Sequence, residues 1–267
     1  MLNNSTLERL RAMKLNAFAT ELERQLSDAE SYSQLGFEER LGLLVDCEWN
    51  RRQNNRLNRY IKNAHLSVSD ATIEGIEYHE DRHLDKAQML RFASCRFIDE
   101  GHHIILKGAS GNGKTYIACA IGNAACRKFK TVRYVRMPEL LDELNIARLN
   151  GTFKKTIRSY QKVDLLILDE WLICRLTPQE AYDLLEITEA RCSHGAVIFC
   201  TQYETEGWYD RINSDPENDS PISEAIMDRI IHNSYDVRLD GKVSMRDVMV
   251  RSRRRGVNDG NNGVAGQ

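Results

Sequence analysis

Gly108-Ala-Ser-Gly-Asn-Gly-Lys-Thr115 has the spacing glycine, four residues, glycine, lysine, threonine, the pattern of a loop that cradles phosphate groups. The flanks suit it. His103-Ile-Ile-Leu-Lys107 reads as a short buried strand leading in, and Thr115 to Lys128 as a helix leading out. Gly108, Gly111 and Gly113 let the backbone turn tightly and bring its amides close to phosphate oxygens. Those amides and the positive end of the helix then hold the anion. Lys114 is placed to reach the β- and γ-phosphates, and the Thr115 hydroxyl to ligate magnesium (Mg2+). The expected nucleotide-binding segment is therefore Gly108 through Tyr116, with Ala109, Ser110 and Asn112 included.

Outward from the loop, strand and helix patterns alternate as in an α/β domain. Strands are expected at Thr131–Arg136, Val163–Leu168, Ala196–Thr201 and Tyr235–Leu239. Helices are expected from Leu84 to Phe97, Pro138 to Leu149, Phe153 to Tyr160, Pro178 to Cys192 and Ile222 to Ile231. The third strand ends in Asp169-Glu170. An aspartate at the end of a hydrophobic strand, downstream of a phosphate loop, is the second half of a magnesium site. Glu170, one residue on, is positioned to act as the base for an attacking water.

The first 66 residues read as all-helical. Leu7, Leu10, Met13 and Leu15 begin one amphipathic helix, and Leu41, Leu44, Val45 and Trp49 mark another. That second helix continues through Arg51 to Lys62, where five residues are basic and none acidic. Arg52, Arg56 and Arg59 share a face, and so form either a contact to phosphate backbone or a solvated surface. The same two readings apply to Lys154, Lys155 and Arg158. Residues 67–83 are polar and irregular, which places a boundary there: 1–75 a helical domain and linker, 76–255 the catalytic domain, and 256–267 a disordered tail.

Composition narrows the class. The chain of 267 residues holds one substantial core and a small accessory domain. No apolar run approaches the ~20 residues of a membrane helix, so a cytoplasmic protein is expected. Seven scattered cysteines without a C-x-x-C pair suggest reduced thiols. His79 with His83, and His102 with His103, have no third ligand nearby in sequence, so they read as ordinary histidines. The net charge of −2 neither advertises nor excludes nucleic acid.

In this order the motifs resemble the IstB-like family of transposition helper ATPases, a branch of the AAA+ proteins close to the DnaC and DnaI helicase loaders. The resemblance runs from about Leu7 to Arg255. It takes in Phe37 to Asp46, Trp49 to Asn54, the phosphate loop, Leu166-Ile-Leu-Asp-Glu-Trp171, Ala225 to Ser234 and Gly241 to Arg246. It implies a P-loop AAA+ core, a parallel sheet between helices, with a small all-helical N-terminal domain. It also implies ATP and Mg2+ as cofactors. Gln202 matches the position of a polar sensor of the γ-phosphate, Arg229 an arginine finger reaching a neighbouring subunit, and Arg246 a second sensor arginine. The implied partners are double-stranded DNA, a cognate transposase and further copies of the chain in a ring or filament, with no membrane. Leu172 departs from the pattern, because many relatives carry glycine there.

The near rival is a helicase loader with the same chemistry. A small-molecule P-loop kinase would need an acceptor pocket and an arginine-rich lid, which the sequence does not display. A DNA-binding scaffold that never hydrolyses ATP would have no need of Glu170.

Overall fold

The computed structural model describes residues 4–192, 195–213 and 219–241. The chain divides into two compact units, Met1–Arg59 and Tyr60–Gln267.

The first unit contains α1 (Asn4–Ala12), α2 (Asn16–Ser27) and most of α3 (Phe37–Ala64). The expected single helix through Leu15 is interrupted at Lys14, whose φ of 59° lies in the left-handed region. The N-terminus of α2 has no side-chain cap of its own. Glu48 of α3 supplies it: the carboxylate accepts the Ala17 amide at 3.0 Å and the Phe18 amide at 3.4 Å. Arg51 and Arg52 bind the same carboxylate at 2.7 and 2.8 Å. The Arg51 hydrogen bond leads in holding the Glu48 pKa down at about 2, against the opposing effect of burial. Two of the five basic residues between Arg51 and Lys62 are thus already paired with a buried acid.

The second unit is a three-layered α/β domain. After α4 (Lys86–Ala93) and α5 (Arg96–Asp99) come β1 (His103–Lys107), α6 (Lys114–Arg127), β2 (Val132–Arg136), α7 (Met137–Leu149) and α8 (Phe153–Gln161). They are followed by β3 (Leu165–Asp169), α9 (Pro178–Cys192), β4 (Ala196–Thr201), α10 (Tyr209–Ile212), α11 (Pro221–Ile231) and β5 (Ser234–Arg238). The helix expected from Leu84 to Phe97 is two helices, because Cys95 adopts φ 60° between them. The five strands pair in parallel in the order β2-β3-β4-β1-β5. Every residue of the three central strands is buried, whereas β2 and β5 at the edges expose part of their length. Continuous apolar runs suit strands covered on both faces. Trp171, Phe199 and Trp208 form an edge-on aromatic cluster within the core.

The segment after α3 also packs on this unit. Asn123 of α6 donates to the carbonyls of Ser69 and Ala71, and Leu66 and Ala71 are buried.

Candidate functional site

In a parallel sheet all the strand C-termini open on one edge, where ligands bind in α/β folds. Here that edge gathers the phosphate loop after β1, Asp169 at the end of β3, Gln202 just past β4 and Arg136 at the end of β2. Since β4 lies between β1 and β3, Gln202 falls between the loop and the acidic pair. A cavity of about 410 Å³ occupies the spot, with Ser110, Lys114, Thr115, Asp169, Glu170 and Gln202 among its walls.

The loop has the shape its glycines predict. Gly108 takes φ 152°, Gly111 91° and Gly113 85°. A Cβ on Gly108 would lie 2.2 Å from the Leu239 carbonyl oxygen, so no larger residue fits. The Lys114 ammonium arches over the loop and donates to the carbonyls of Gly108 at 2.6 Å and Ala109 at 2.8 Å. Asn112 is tied from behind, its side-chain amide donating to Leu239 O at 2.7 Å.

Asp169 is the meeting point. The Thr115 hydroxyl donates to its Oδ2 at 2.7 Å across 54 residues of sequence, and the Tyr134 hydroxyl donates to the same oxygen at 2.8 Å. Its Oδ1 accepts the Glu170 amide at 2.9 Å. Burial and then the Asp169 charge push the Tyr134 pKa up, so the phenol stays a donor. The Glu170 carboxylate faces Arg136, whose Nη2 lies 2.9 and 2.7 Å from its two oxygens.

The backbone here is strained. Glu170 and Leu172 take φ of 57° and 56°; such conformations cost about 1–3 kcal/mol each in a non-glycine residue. Leu172 therefore keeps the backbone that a glycine would favour. Its side chain is fully buried, its carbonyl accepts from Arg211 at 2.5 Å, and that packing offsets the strain.

A hydroxyl beside a carboxylate oxygen is the hard-oxygen donor set that magnesium takes, with the remaining positions left to phosphate and water. Thr115 and Asp169 fit that requirement by type and by separation.

The family model for IstB-like ATP binding proteins matches residues 8–253. The chain belongs to the IstB-like ATP-binding family. Among curated relatives, an insertion sequence ATP-binding protein of Sinorhizobium fredii is 34% identical over 247 residues, spanning 92% of this chain and 98% of the relative. Another, from Pseudomonas fluorescens, is 38% identical over 202 residues, spanning 76% and 87%. Among solved structures, DnaI superposes with a TM-score of 0.57 at 21% identity, covering 70% of this chain and 99% of DnaI. The fold of this IstB-like chain is accordingly the P-loop AAA+ core, with helices N-terminal to it.

The other residues singled out by sequence lie in varied places. Gln202 is exposed on the cavity wall. Arg229, on α11, donates to the Ala225 carbonyl at 2.9 Å and sits 3.7 Å from Glu189 of α9; it is not among the cavity walls. Arg246 and the tail from 256 lie outside the described residues. Arg52, Arg56 and Arg59 on α3, and Lys154, Lys155 and Arg158 on α8, are exposed. His79 lies 3.0 Å from Glu77 and His83 3.1 Å from Asp240. The His102 ring lies tilted against Tyr235, and buried His103 accepts the Val197 amide, its pKa pushed down to about 4 chiefly by burial.

Sequence reasoning missed Tyr134, Arg136, Ser67 and Val68, all on the cavity wall. Tyr134 and Arg136 left a faint signal, since both are polar-tipped residues near the end of a strand expected to be buried. Ser67 and Val68 left none, being part of a segment that reads as linker.

Among the described residues no helix is long and apolar enough to cross a membrane.

Proposed function

We propose that the chain is a DNA-dependent ATPase that assembles on target DNA and stimulates a partner transposase. One observation carries the chemistry: the 2.7 Å bond from Thr115 to Asp169 joins the phosphate loop to the acidic strand at a point where Glu170 is the next residue. The roles follow from position. The loop amides and Lys114 bind the triphosphate, and Thr115 and Asp169 hold magnesium, which when bound offsets phosphate charge. Tyr134 keeps Asp169 oriented. Glu170 takes a proton from the attacking water, for which it must exchange its pairing with Arg136 for that water. Gln202 faces the γ-phosphate from β4. Arg229 serves the site of a neighbouring copy, in keeping with its absence from the walls of its own chain's cavity, and Arg246 acts as a second sensor.

The biological setting is inferred from the relatives, which are ATP-binding proteins of insertion sequences; mobile elements of that kind need a transposase. DNA is then bound through its backbone by Arg52, Arg56, Arg59, Lys154, Lys155 and Arg158, repeated along an oligomer. The functional division is a helical part, 1–75, whose helices serve partners while Ser67 and Val68 at its end border the nucleotide cavity, and an ATPase part, 76–255.

The test is phosphate release with and without duplex DNA, alongside strand transfer by a cognate transposase. Stimulation in both assays is expected. ATP bound but never hydrolysed, with or without DNA, would leave only a scaffold. A phosphorylated metabolite would make the protein a kinase.

A further inference from the structure

Arg82 is only 4% exposed, and its hydrogen bonds run to main-chain carbonyls. Nη2 donates to the Asn112 carbonyl at 2.9 Å, inside the phosphate loop, and Nη1 donates to the Glu77 carbonyl. Its own carbonyl accepts the Asp240 amide at 3.4 Å. A guanidinium keeps its charge at any physiological pH, so this is a buried cation set directly behind the loop. Such a charge is costly to bury and calls for a reason beyond packing.

The reason lies in peptide geometry. A trans peptide directs its carbonyl and the following N–H in opposite directions. With the Asn112 carbonyl drawn to Arg82, the Gly113 N–H points away from Arg82. Asn112 is held a second time by its side chain on Leu239 O, so the peptide has little freedom to flip. Gly113, at φ 85°, has no Cβ to resist the orientation. The same guanidinium adds fixed positive charge to a cradle already formed by amides and a helix end.

We propose that Arg82 is a positioning residue for the triphosphate: it sets the Asn112–Gly113 peptide so that its N–H faces phosphate, and it supplies charge from behind the loop. This rests on the reading that Gly108–Thr115 holds the nucleotide phosphates. Arginine is needed for its fork, because two carbonyls on separate segments must be reached at once; lysine keeps the charge but not the geometry.

The test uses the full chain, with binding of ATP and of inorganic pyrophosphate measured by calorimetry for wild type, Arg82→Met, Arg82→Lys and Lys114→Ala. Arg82→Met is expected to weaken both ligands about 10- to 100-fold, the range for a lost charge-assisted bond. Arg82→Lys is expected to fall between it and wild type. A purely structural role would lower the fraction of protein that binds, and the melting temperature, while leaving the dissociation constant of the remainder alone; that result overturns the proposal. So does a loss for ATP without a loss for pyrophosphate, which would move Arg82 to the base or sugar. If Arg82→Met does not fold, Arg82→Lys decides: unchanged affinity for both ligands overturns the proposal, and a several-fold loss for both supports it. Should Lys114→Ala bind ATP as wild type does, the reading of the loop itself fails. Loss in Lys114→Ala with unchanged affinity in folded Arg82→Met removes only the role of Arg82.

Discussion

The corner around Asp169 and the outer face of α3 both concentrate charge, but they are completed differently. At Asp169, hydroxyls from α6 and β2 and an amide from the following turn converge on one buried carboxylate. On α3 Arg52, Arg56 and Arg59 are exposed, and Arg52 pairs with Glu48 one helical turn back. A buried anion left without donors costs several kcal/mol, so the fold must supply its partners. An exposed cation is satisfied by solvent, and its ion pairs are worth about 0–1 kcal/mol. The first region is complete within one chain. On the proposed reading, the second acts only when DNA arrives.

Arg229 puts that contrast under the greatest strain, since it is assigned to catalysis yet is absent from its own cavity. Arg229→Ala is expected to bind ATP within a few-fold of wild type and to lose about 10³–10⁵ in turnover. Mixed with Lys114→Ala it should regain part of the activity, because some interfaces then pair an intact arginine with an intact loop. Verified mixed assemblies with no gain at any ratio would return Arg229 to the role of a helix surface residue.

The next effect sharpens the corner. Glu170→Gln should slow hydrolysis about 10²–10⁴-fold with ATP still bound, as expected for loss of a base. Lys114→Ala should instead weaken binding about 10- to 100-fold by removing a charge-assisted contact. Equal binding defects in the two variants would erase the division between anion site and base.

A smaller effect addresses α3. Glutamate at Arg52, Arg56 and Arg59 together should leave ATP binding intact and flatten the fall of log DNA affinity with log salt by about 2–3, near one unit per lost phosphate contact. An unchanged slope would shift attention to Lys154, Lys155 and Arg158. The smallest effect expected is that of Tyr134→Phe, a loss of about 1–3 kcal/mol in urea unfolding as Asp169 loses a donor. Stability unmoved by that change would mean that Thr115 alone satisfies the oxygen.

Legibility followed the range of the interactions. The phosphate loop, the five strands and the acidic pair were readable because each is written in a few contiguous residues. The arginine cluster of α3 was readable too, but Glu48 altered its meaning by capping α2 and drawing on Arg51 and Arg52. Leu172 shows a different limit. A glycine is the usual sign of a left-handed residue, and here a buried leucine occupies that conformation because the core repays its strain.

By itself, then, the sequence determined what this chain can bind: glycines that permit the loop, a lysine within reach of it, and an aspartate at the end of a buried strand are properties of neighbours along the chain. Only the tertiary structure decided which groups serve them. The order β2-β3-β4-β1-β5 sets Gln202 between loop and acid, and the crossovers bring Thr115 to Asp169 and Tyr134 to the same oxygen. Arg82 reaches the loop from 30 residues upstream. The physical reason is that a short motif is governed by backbone torsions and side-chain length, whereas a hydrogen bond across the sheet depends on the register of strands that meet only once the core has closed.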